Sequence, residues 1–373
     1  MKNKIDSLQI IRALAFLGIF ASHSDLTVFS SGGAWGVSVF IVLSGFLMVY
    51  SYYGTARIKE HGFAYSIRFG VNKIRKLYPL HIVTLLLALL YQFIGFSGMN
   101  TAINPVVIRA TTVITAANAL LAQSWFSSKA IYFSLNAVSW YLSVSLFLYM
   151  MFPFILFQMR RYKGISAAVI VIAAAYVIQI ILAYSAYLIQ IHLIQNNDFV
   201  HWFTYIFPLS RLEDFVIGCN LGYIFITAKR DKGISEKLST WLEFGTLLLI
   251  AIQLAAHAFL ISIPAKAAPS VSAENWWGFT VMWTLTSCAL VYLFALNKGK
   301  VSKLLTCKAL LFIGRLSADA FLIHQLVYRY LNMFEQMLFG NAYQWINLFA
   351  CFILTTASAL TWELLMSRVK KES

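Results

Sequence analysis

Long apolar runs separated by short polar segments recur along the whole chain. Runs of about twenty apolar residues are long enough to cross the hydrocarbon core of a bilayer as α-helices. The pattern predicts ten membrane-spanning helices, near residues 8–25, 34–53, 80–97, 138–158, 165–190, 204–228, 240–262, 277–296, 309–332 and 343–365. We therefore expect an all-α, polytopic helix bundle that forms a single transmembrane domain over residues 1–373.

The polar segments between the apolar runs predict how the bundle is oriented. Most of the 29 lysines and arginines gather in alternate segments, which share one side of the membrane. Only Arg109, Lys129 and Lys266 then fall in segments on the other side. Because cytoplasmic loops carry an excess of basic residues, this asymmetry predicts that both termini are cytoplasmic.

The apolar stretch 105–125 does not fit this alternation. As an eleventh span it would reverse every later loop and place the basic cluster at 160–163 outside. It also contains Arg109, Asn118 and Gln123, which are costly in lipid. We interpret the stretch as a re-entrant or interfacial segment on the outer side.

Composition supports a membrane protein and argues against other classes. Of the 373 residues, 60% are hydrophobic and 12% are charged, unlike the composition of a soluble domain. A net charge of +15 could indicate a nucleic-acid partner, but the basic residues lie in short clusters between apolar runs, so we expect none. The four cysteines show no C-x-x-C pair and no metal-ligand spacing, so we expect neither a disulfide framework nor a metal site.

Two polar residues of the first predicted span are candidates for chemistry. Arg12 and His23 are about three helical turns apart, so they face the same way at a separation of roughly 16 Å along the axis. An arginine within a span usually faces a polar cavity or a partner, and a neutral imidazole can act as a base. Snorkelling of Arg12 to the headgroups and simple packing of His23 account for the same spacing, which does not decide between the two interpretations.

Short motifs follow one another in a characteristic order around these residues. In chain order they are Ser7 to Arg12 with His23, Gly33-Ala34-Trp35-Gly36 leading to Ser44-Gly45-Phe46, Arg75-Lys76-Leu77-Tyr78-Pro79, Trp140-Tyr141-Leu142, Pro208-x-x-Arg211-x-x-Asp214, and Gly314-Arg315-Leu316-Ser317 with Phe321-Leu322-Ile323-His324. Together they resemble the acyltransferase-3 family, the polytopic membrane O-acyltransferases of bacterial surface glycans. Two positions depart from the family pattern, since Ser145 stands where some members carry a glutamate and Phe321 replaces the usual tyrosine.

The resemblance implies an O-acetyltransferase of the bacterial inner membrane. It implies acetyl-CoA as the cytoplasmic donor substrate, without a permanently bound cofactor. The implied acceptor is a hydroxyl of a cell-envelope polysaccharide, such as O-antigen, exopolysaccharide or capsule, or of its lipid-linked precursor. In this interpretation Arg12 steadies the donor, and His23 is the base that activates the hydroxyl or, as an alternative, carries the acetyl group itself.

The same resemblance suggests further binding residues. The basic loop 54–79 would bind the CoA phosphates through Arg68 and Arg75, because the arginine fork suits phosphate, although any cytoplasmic loop is basic for orientation. Residues near the donor would include Ser44 and Gly45. The candidate acceptor-binding residues are Trp140, Arg211, Asp214 and His324.

Each of these candidates also has a structural explanation. Gly45 could serve close helix packing, as could the Gly32-x-x-x-Gly36 spacing. Trp140 could belong to the aromatic belt of the interface. Arg211 and Asp214 could form a buried ion pair, and His324 a hydrogen bond between helices.

Two other function classes stay open at the level of sequence. A transporter or flippase could move a lipid-linked sugar or a small group without chemistry, although such folds often show paired repeats that this chain lacks. A sensor or scaffold is the third possibility, and it would not require Arg12 together with His23.

Overall fold

The computed structural model describes residues 5–24, 30–55, 58, 61–98, 104–194, 198–228, 234–257, 259, 276–338 and 344–372. Fifteen α-helices over these residues are labelled here in chain order. They are α1 Ser7–Ser22, α2 Gly32–Tyr52, α3 Phe63–Ile74, α4 Tyr78–Gly98, α5 Pro105–Ala119, α6 Lys129–Tyr132, α7 Trp140–Met159, α8 Ile165–Ile189, α9 Phe199–His201, α10 Leu212–Thr227, α11 Glu236–Ala255, α12 Val281–Leu296, α13 Lys300–Leu305, α14 Lys308–Leu338 and α15 Gln344–Glu372.

The helices confirm a polytopic helical membrane protein. Seven of those in the described ranges are long and apolar enough to cross a bilayer, and α1 and α12 are shorter apolar helices. Each of the ten predicted spans overlaps one α-helix in the part of the chain that the structure describes. The largest difference is in the span 204–228, where Pro208 lies between a π-helical turn and a 3-10 turn and the regular helix α10 begins only at Leu212. The placement of the termini in the cytoplasm stays a prediction from the charge pattern.

The basic segment 54–79, which the sequence suggests is a loop, contains the helix α3. This helix packs along α7, with Gly70 against Met150. A larger side chain at Gly70 would overlap Met150, so glycine permits this close contact. The packing holds Lys73, in the last turn of α3, towards the interior of the bundle.

The stretch 105–125 forms the helix α5 followed by a short 3-10 turn. Asn104 caps the helix by accepting hydrogen bonds from the Val106 and Val107 amides. With 15 residues, α5 falls short of the roughly 20 residues that a full span requires. The C-terminal end of α5 packs beside the start of α4, where the Asn118 carbonyl lies 3.0 Å from His81 Nε2. The re-entrant or interfacial placement on the outer side stays a prediction.

Glycines set the close contacts among the central helices. Gly45 of α2 lies against the backbone of α10 at Phe215, and Gly314 of α14 lies against the backbone of α1 at Gln9. Gly36 of α2 lies against the backbone of α1 at Ala15, so α1 is held directly between α2 and α14. This arrangement brings the polar residues of α1 beside those of α14.

Candidate functional site

His23 and His324 lie side by side in the interior of the bundle. His23 directly follows α1, and its Nδ1 lies 2.8 Å from the carbonyl oxygen of Ile19. His324 Nδ1 lies 2.7 Å from the carbonyl oxygen of Phe321, and its Nε2 lies 3.3 Å from His23 Nδ1. A carbonyl oxygen can only accept, so both Nδ1 atoms carry the proton. His23 Nε2 is therefore the nitrogen with a free lone pair, as a general base requires.

His23 opens onto a cavity of about 410 Å³, which we call the outer cavity. Several of its walls are aromatic, and its polar groups come from five helices or the segments beside them. The lining includes Ser22, His23, Gly33, Phe133, Trp140, His201, Tyr205, Phe279, Phe321, Gln325 and Arg329. Aromatic faces with a few polar groups form a site that suits a sugar ring, because the ring has apolar faces and hydroxyls at its edge.

His201 lies in the outer cavity as an uncharged group. Burial and the nearby charge of Lys129 lower the pKa of His201 to about 4, and Asp198 opposes this shift. The His201 Nδ1 lies 3.4 Å from the Tyr132 hydroxyl, within range of a weak hydrogen bond. At neutral pH the ring therefore contributes hydrogen-bonding capacity to the cavity and no charge.

A second, smaller cavity of about 120 Å³ lies around Arg12, and we call it the inner cavity. Two cationic side chains reach it, Arg12 from α1 and Lys73 from α3. Its other polar groups are hydroxyls, from Ser44, Tyr141, Ser145, Tyr149 and Ser317. Positive charge with hydroxyl donors suits an anionic ligand or a polarised carbonyl oxygen.

Phe321 lines both cavities, and no other residue in the described part of the chain does so. Its ring packs edge-on against Tyr141, with centroids 5.3 Å apart, and lies 5.9 Å from the ring of His324. Its backbone carbonyl orients His324. Phe321 thus lies at the boundary of both the cavity around Arg12 and the cavity around His23.

Four of the ten residues expected at the site line one of these two cavities. Arg12 and Ser44 line the inner cavity, and His23 and Trp140 line the outer cavity. His324 contacts His23 directly. The positions were assigned from motifs, and their catalytic and binding roles stay predictions.

Three other expected residues lie away from both cavities. Arg68 and Arg75 are exposed on α3 and at its end, and neither lines the inner cavity. Gly45 faces α10, so its position favours the packing interpretation over contact with a donor. The basic residue that α3 brings to the inner cavity is Lys73.

Arg211 and Asp214 form a buried ion pair with an N–O distance of 2.7 Å. Asp214 also accepts hydrogen bonds from Gln179 at 2.7 Å and Thr284 at 2.9 Å. Arg211 donates to the hydroxyl of Ser38 at 3.2 Å. These contacts join α2, α8, α10 and α12, which favours the structural interpretation over direct binding of the acceptor.

Sequence reasoning missed Lys73 and Arg329, which line the inner and the outer cavity. Lys73 was one of six basic residues in the segment 54–79 with nothing to distinguish it. Arg329 gave a usable signal, because a charged residue within a predicted span is a candidate for function by default. Among the described residues, no group of three or more His, Cys, Asp or Glu side chains could hold a metal ion.

Comparison with known proteins gives matches along most of the chain. A sequence profile of the acyltransferase-3 family, described as an acyltransferase domain, matches residues 5–364. O-acetyltransferase OatA of Staphylococcus aureus is 24% identical over 345 residues, which cover 88% of this chain and 51% of the relative. Acyltransferase MdmB of Streptomyces mycarofaciens is 25% identical over 371 residues, covering 92% of this chain and 84% of the relative. The chain thus spans about half the length of OatA, and no solved structure gives a significant match.

Proposed function

The chain belongs to the acyltransferase-3 family, and on that premise we propose that it is an integral membrane O-acyltransferase of the bacterial inner membrane. The donor is acetyl-CoA, and the acceptor is a hydroxyl of a cell-envelope polysaccharide or its lipid-linked precursor. The names of OatA and MdmB, an O-acetyltransferase and an acyltransferase, support the reaction class.

One observation carries the proposal, namely that two cavities of different chemistry meet at one side chain. The inner cavity has two cations and several hydroxyls, and the outer cavity has aromatic walls and a histidine base. Acyl transfer between compartments needs a donor site and an acceptor site that touch at the reacting atoms. The two cavities that Phe321 borders supply such a pair.

The donor would enter from the side of Arg12 and Lys73. An inner cavity of about 120 Å³ is too small for the whole of CoA, so it would hold the thioester end and part of the pantetheine arm. The CoA phosphates would lie beyond it, near the exposed Arg68 and Arg75. The hydroxyls of Ser44, Ser145 and Ser317 would donate to the thioester carbonyl or to the arm.

The chemical step follows from the tautomer of His23, which leaves a lone pair on Nε2. Its Nε2 takes the proton of the acceptor hydroxyl while the oxygen attacks the thioester carbon. The carbon–sulfur bond then breaks, the acetyl ester forms, and the CoA thiolate recovers the proton. His324 holds the His23 ring through its contact at Nδ1 and so acts as a positioning residue.

The proposal is tested with His23→Gln and Arg12→Gln in cells that carry the glycan. Because a general base contributes about 10²–10⁴-fold to a rate, His23→Gln should abolish detectable acetylation of the glycan. Mass spectrometry of the isolated glycan measures the acetyl increments, and immunoblotting confirms equal protein amounts. The matched controls are His192→Gln, an exposed histidine, and Arg315→Gln, an arginine that lines neither cavity.

Retained acetylation in both site variants would refute the acyltransferase proposal. A transporter or flippase is separated by a second measurement on the purified wild-type protein in proteoliposomes. An acyltransferase releases free CoA from acetyl-CoA in proportion to the ester formed, whereas a transporter leaves the thioester intact.

A further inference from the structure

Arg329 is a cation of the outer cavity that has no acidic partner among the residues the structure describes. It lies on α14, one turn after Gln325, and is partly buried. One of its nitrogens, Nη1, donates to the carbonyl oxygen of Leu135 at 2.5 Å. A guanidinium has five N–H donors, and the described contacts of Arg329 include no salt bridge to a carboxylate.

The described lining of the outer cavity contains no aspartate or glutamate. The acidic side chain that acts on His201, Asp198, is itself paired with Lys129 at 3.7 Å. The positive charge of Arg329 therefore has no counter-charge among the described walls of the cavity.

Arg211 shows how this fold neutralises an arginine that is buried in the bundle. Its guanidinium is fully buried and lies 2.7 Å from the carboxylate of Asp214. Both arginines belong to predicted spans, where an unpaired charge is costly and normally faces a partner or a cavity. Arg329 faces a cavity, where a ligand can reach its guanidinium.

We propose that the outer cavity binds an acceptor sugar bearing an anionic group, and that Arg329 is the residue that recognises this group. The anion is either a carboxylate on the sugar or a phosphate on its linkage, since both match the guanidinium fork. The rings of Trp140 and Tyr205 line the same cavity and would contact the faces of the sugar. This inference rests on the proposed function for the identity of the acceptor, but its test measures binding alone.

The test uses purified wild-type protein and three small probes in the absence of acetyl-CoA. The probes are methyl glucuronoside, its neutral methyl ester, and methyl glucoside 6-phosphate. Saturation-transfer NMR titrations give a Kd for each probe. We expect at least one anionic probe to bind tenfold or more tightly than the ester, and the carboxylate and phosphate arms show which anion is preferred.

Variants of α14 assign this preference to one residue. Arg329→Gln should remove the tenfold preference, and Arg329→Lys should retain part of it because the charge stays. Arg315→Gln is the matched control on the same helix, since Arg315 pairs with Glu363 at 3.1 Å and lines neither cavity. This control should keep the wild-type preference.

Equal binding of acid and ester by the wild type, or no binding of any probe, would overturn the inference even if a variant failed to fold. If Arg329→Gln keeps the preference for the anionic probe but lowers kcat in glycan acetylation, Arg329 acts in the reaction. That result would also overturn the inference. Failure of the acyltransferase proposal appears separately, as the absence of CoA release by the wild type.

Discussion

The ring of His23 is oriented by a contact with the end of α1, and the fold brings His324 beside it. It stands at the end of α1, where the last carbonyls of a helix lack amide partners, and its Nδ1 reaches one of them on Ile19. His324 is separated from it by 301 positions in the sequence. The first contact fixes which nitrogen carries the proton, and the second holds the ring in place.

At the residue scale, His201 makes a testable contribution to stability. Its pKa is lowered from 6.5 to about 4, so between these values the unfolded chain binds a proton that the folded chain does not. Stability should therefore fall as the pH is lowered from 6.5 towards 4, by at most about 3 kcal/mol from this group. Melting temperatures in detergent at pH 6.5, 5.5 and 4.5 measure the effect.

The variant His201→Gln isolates that contribution from the titration of carboxylates. The difference in melting temperature between wild type and variant should shrink as the pH falls, because the wild type loses its advantage. His192→Gln is the control, since His192 is exposed. A difference that stays constant over this range would contradict the prediction.

Among the helices, glycine contacts determine how closely α2 packs against α1 and α10. The Gly32-x-x-x-Gly36 spacing predicts close packing, and both residues lie against α1, at Gly18 and at Ala15 respectively. Gly218 of α10 lies against the backbone of α2 at Val42. The packing that the spacing predicts is confirmed, and it places Ser44 of α2 at the inner cavity.

At the element scale, Gly218→Ala should destabilise the protein by about 1–3 kcal/mol, because the added methyl group forces α2 and α10 apart. Thermal unfolding in detergent measures this change. Gly245→Ala is the matched control, since a methyl group there meets no atom within 4 Å. Alanine in the interior of α11 should be neutral or stabilising by up to about 1 kcal/mol. Equal melting temperatures for the two variants would show that the close contact carries no stability.

For the whole molecule, the important feature is that one aromatic residue, Phe321, borders two cavities of different chemistry. Arg12 and Lys73 line one of them, and His23 and Arg329 line the other. The resemblance to the acyltransferase-3 family places a tyrosine at this position in other members. In the proposed reaction, the ring keeps the water of the outer cavity from the thioester until an acceptor occupies the site.

At the scale of the whole molecule, Phe321→Ala should let water from the outer cavity reach the thioester in the inner cavity. Acetyl-CoA hydrolysis without acceptor should rise several-fold, and acetyl transfer to the glycan should fall. CoA release and ester formation in proteoliposomes measure the two rates. Phe321→Leu and Phe321→Tyr retain bulk and should stay close to the wild type. An unchanged ratio of hydrolysis to transfer in Phe321→Ala would refute this role of the ring.

The sequence alone determined the long apolar helices of this protein. A stretch of about twenty apolar residues must form a helix in a bilayer, so the long apolar helices could be predicted one at a time. Arg12 and His23 could be placed on one face of α1, because helical spacing is a local property. Motif order identified the family before any contact between helices was known.

Only the tertiary structure decided which side chains meet. The contact of His23 with His324, and the positions of Lys73 and Arg329, depend on helices that are distant in sequence. Arg211 and Arg329 both lie in predicted spans, but Arg211 is paired with Asp214 whereas Arg329 faces a cavity. The physical reason is that the apolar pattern gives the length of a helix and its preference for lipid, whereas its rotation and neighbours follow from close packing at glycines and from buried polar contacts.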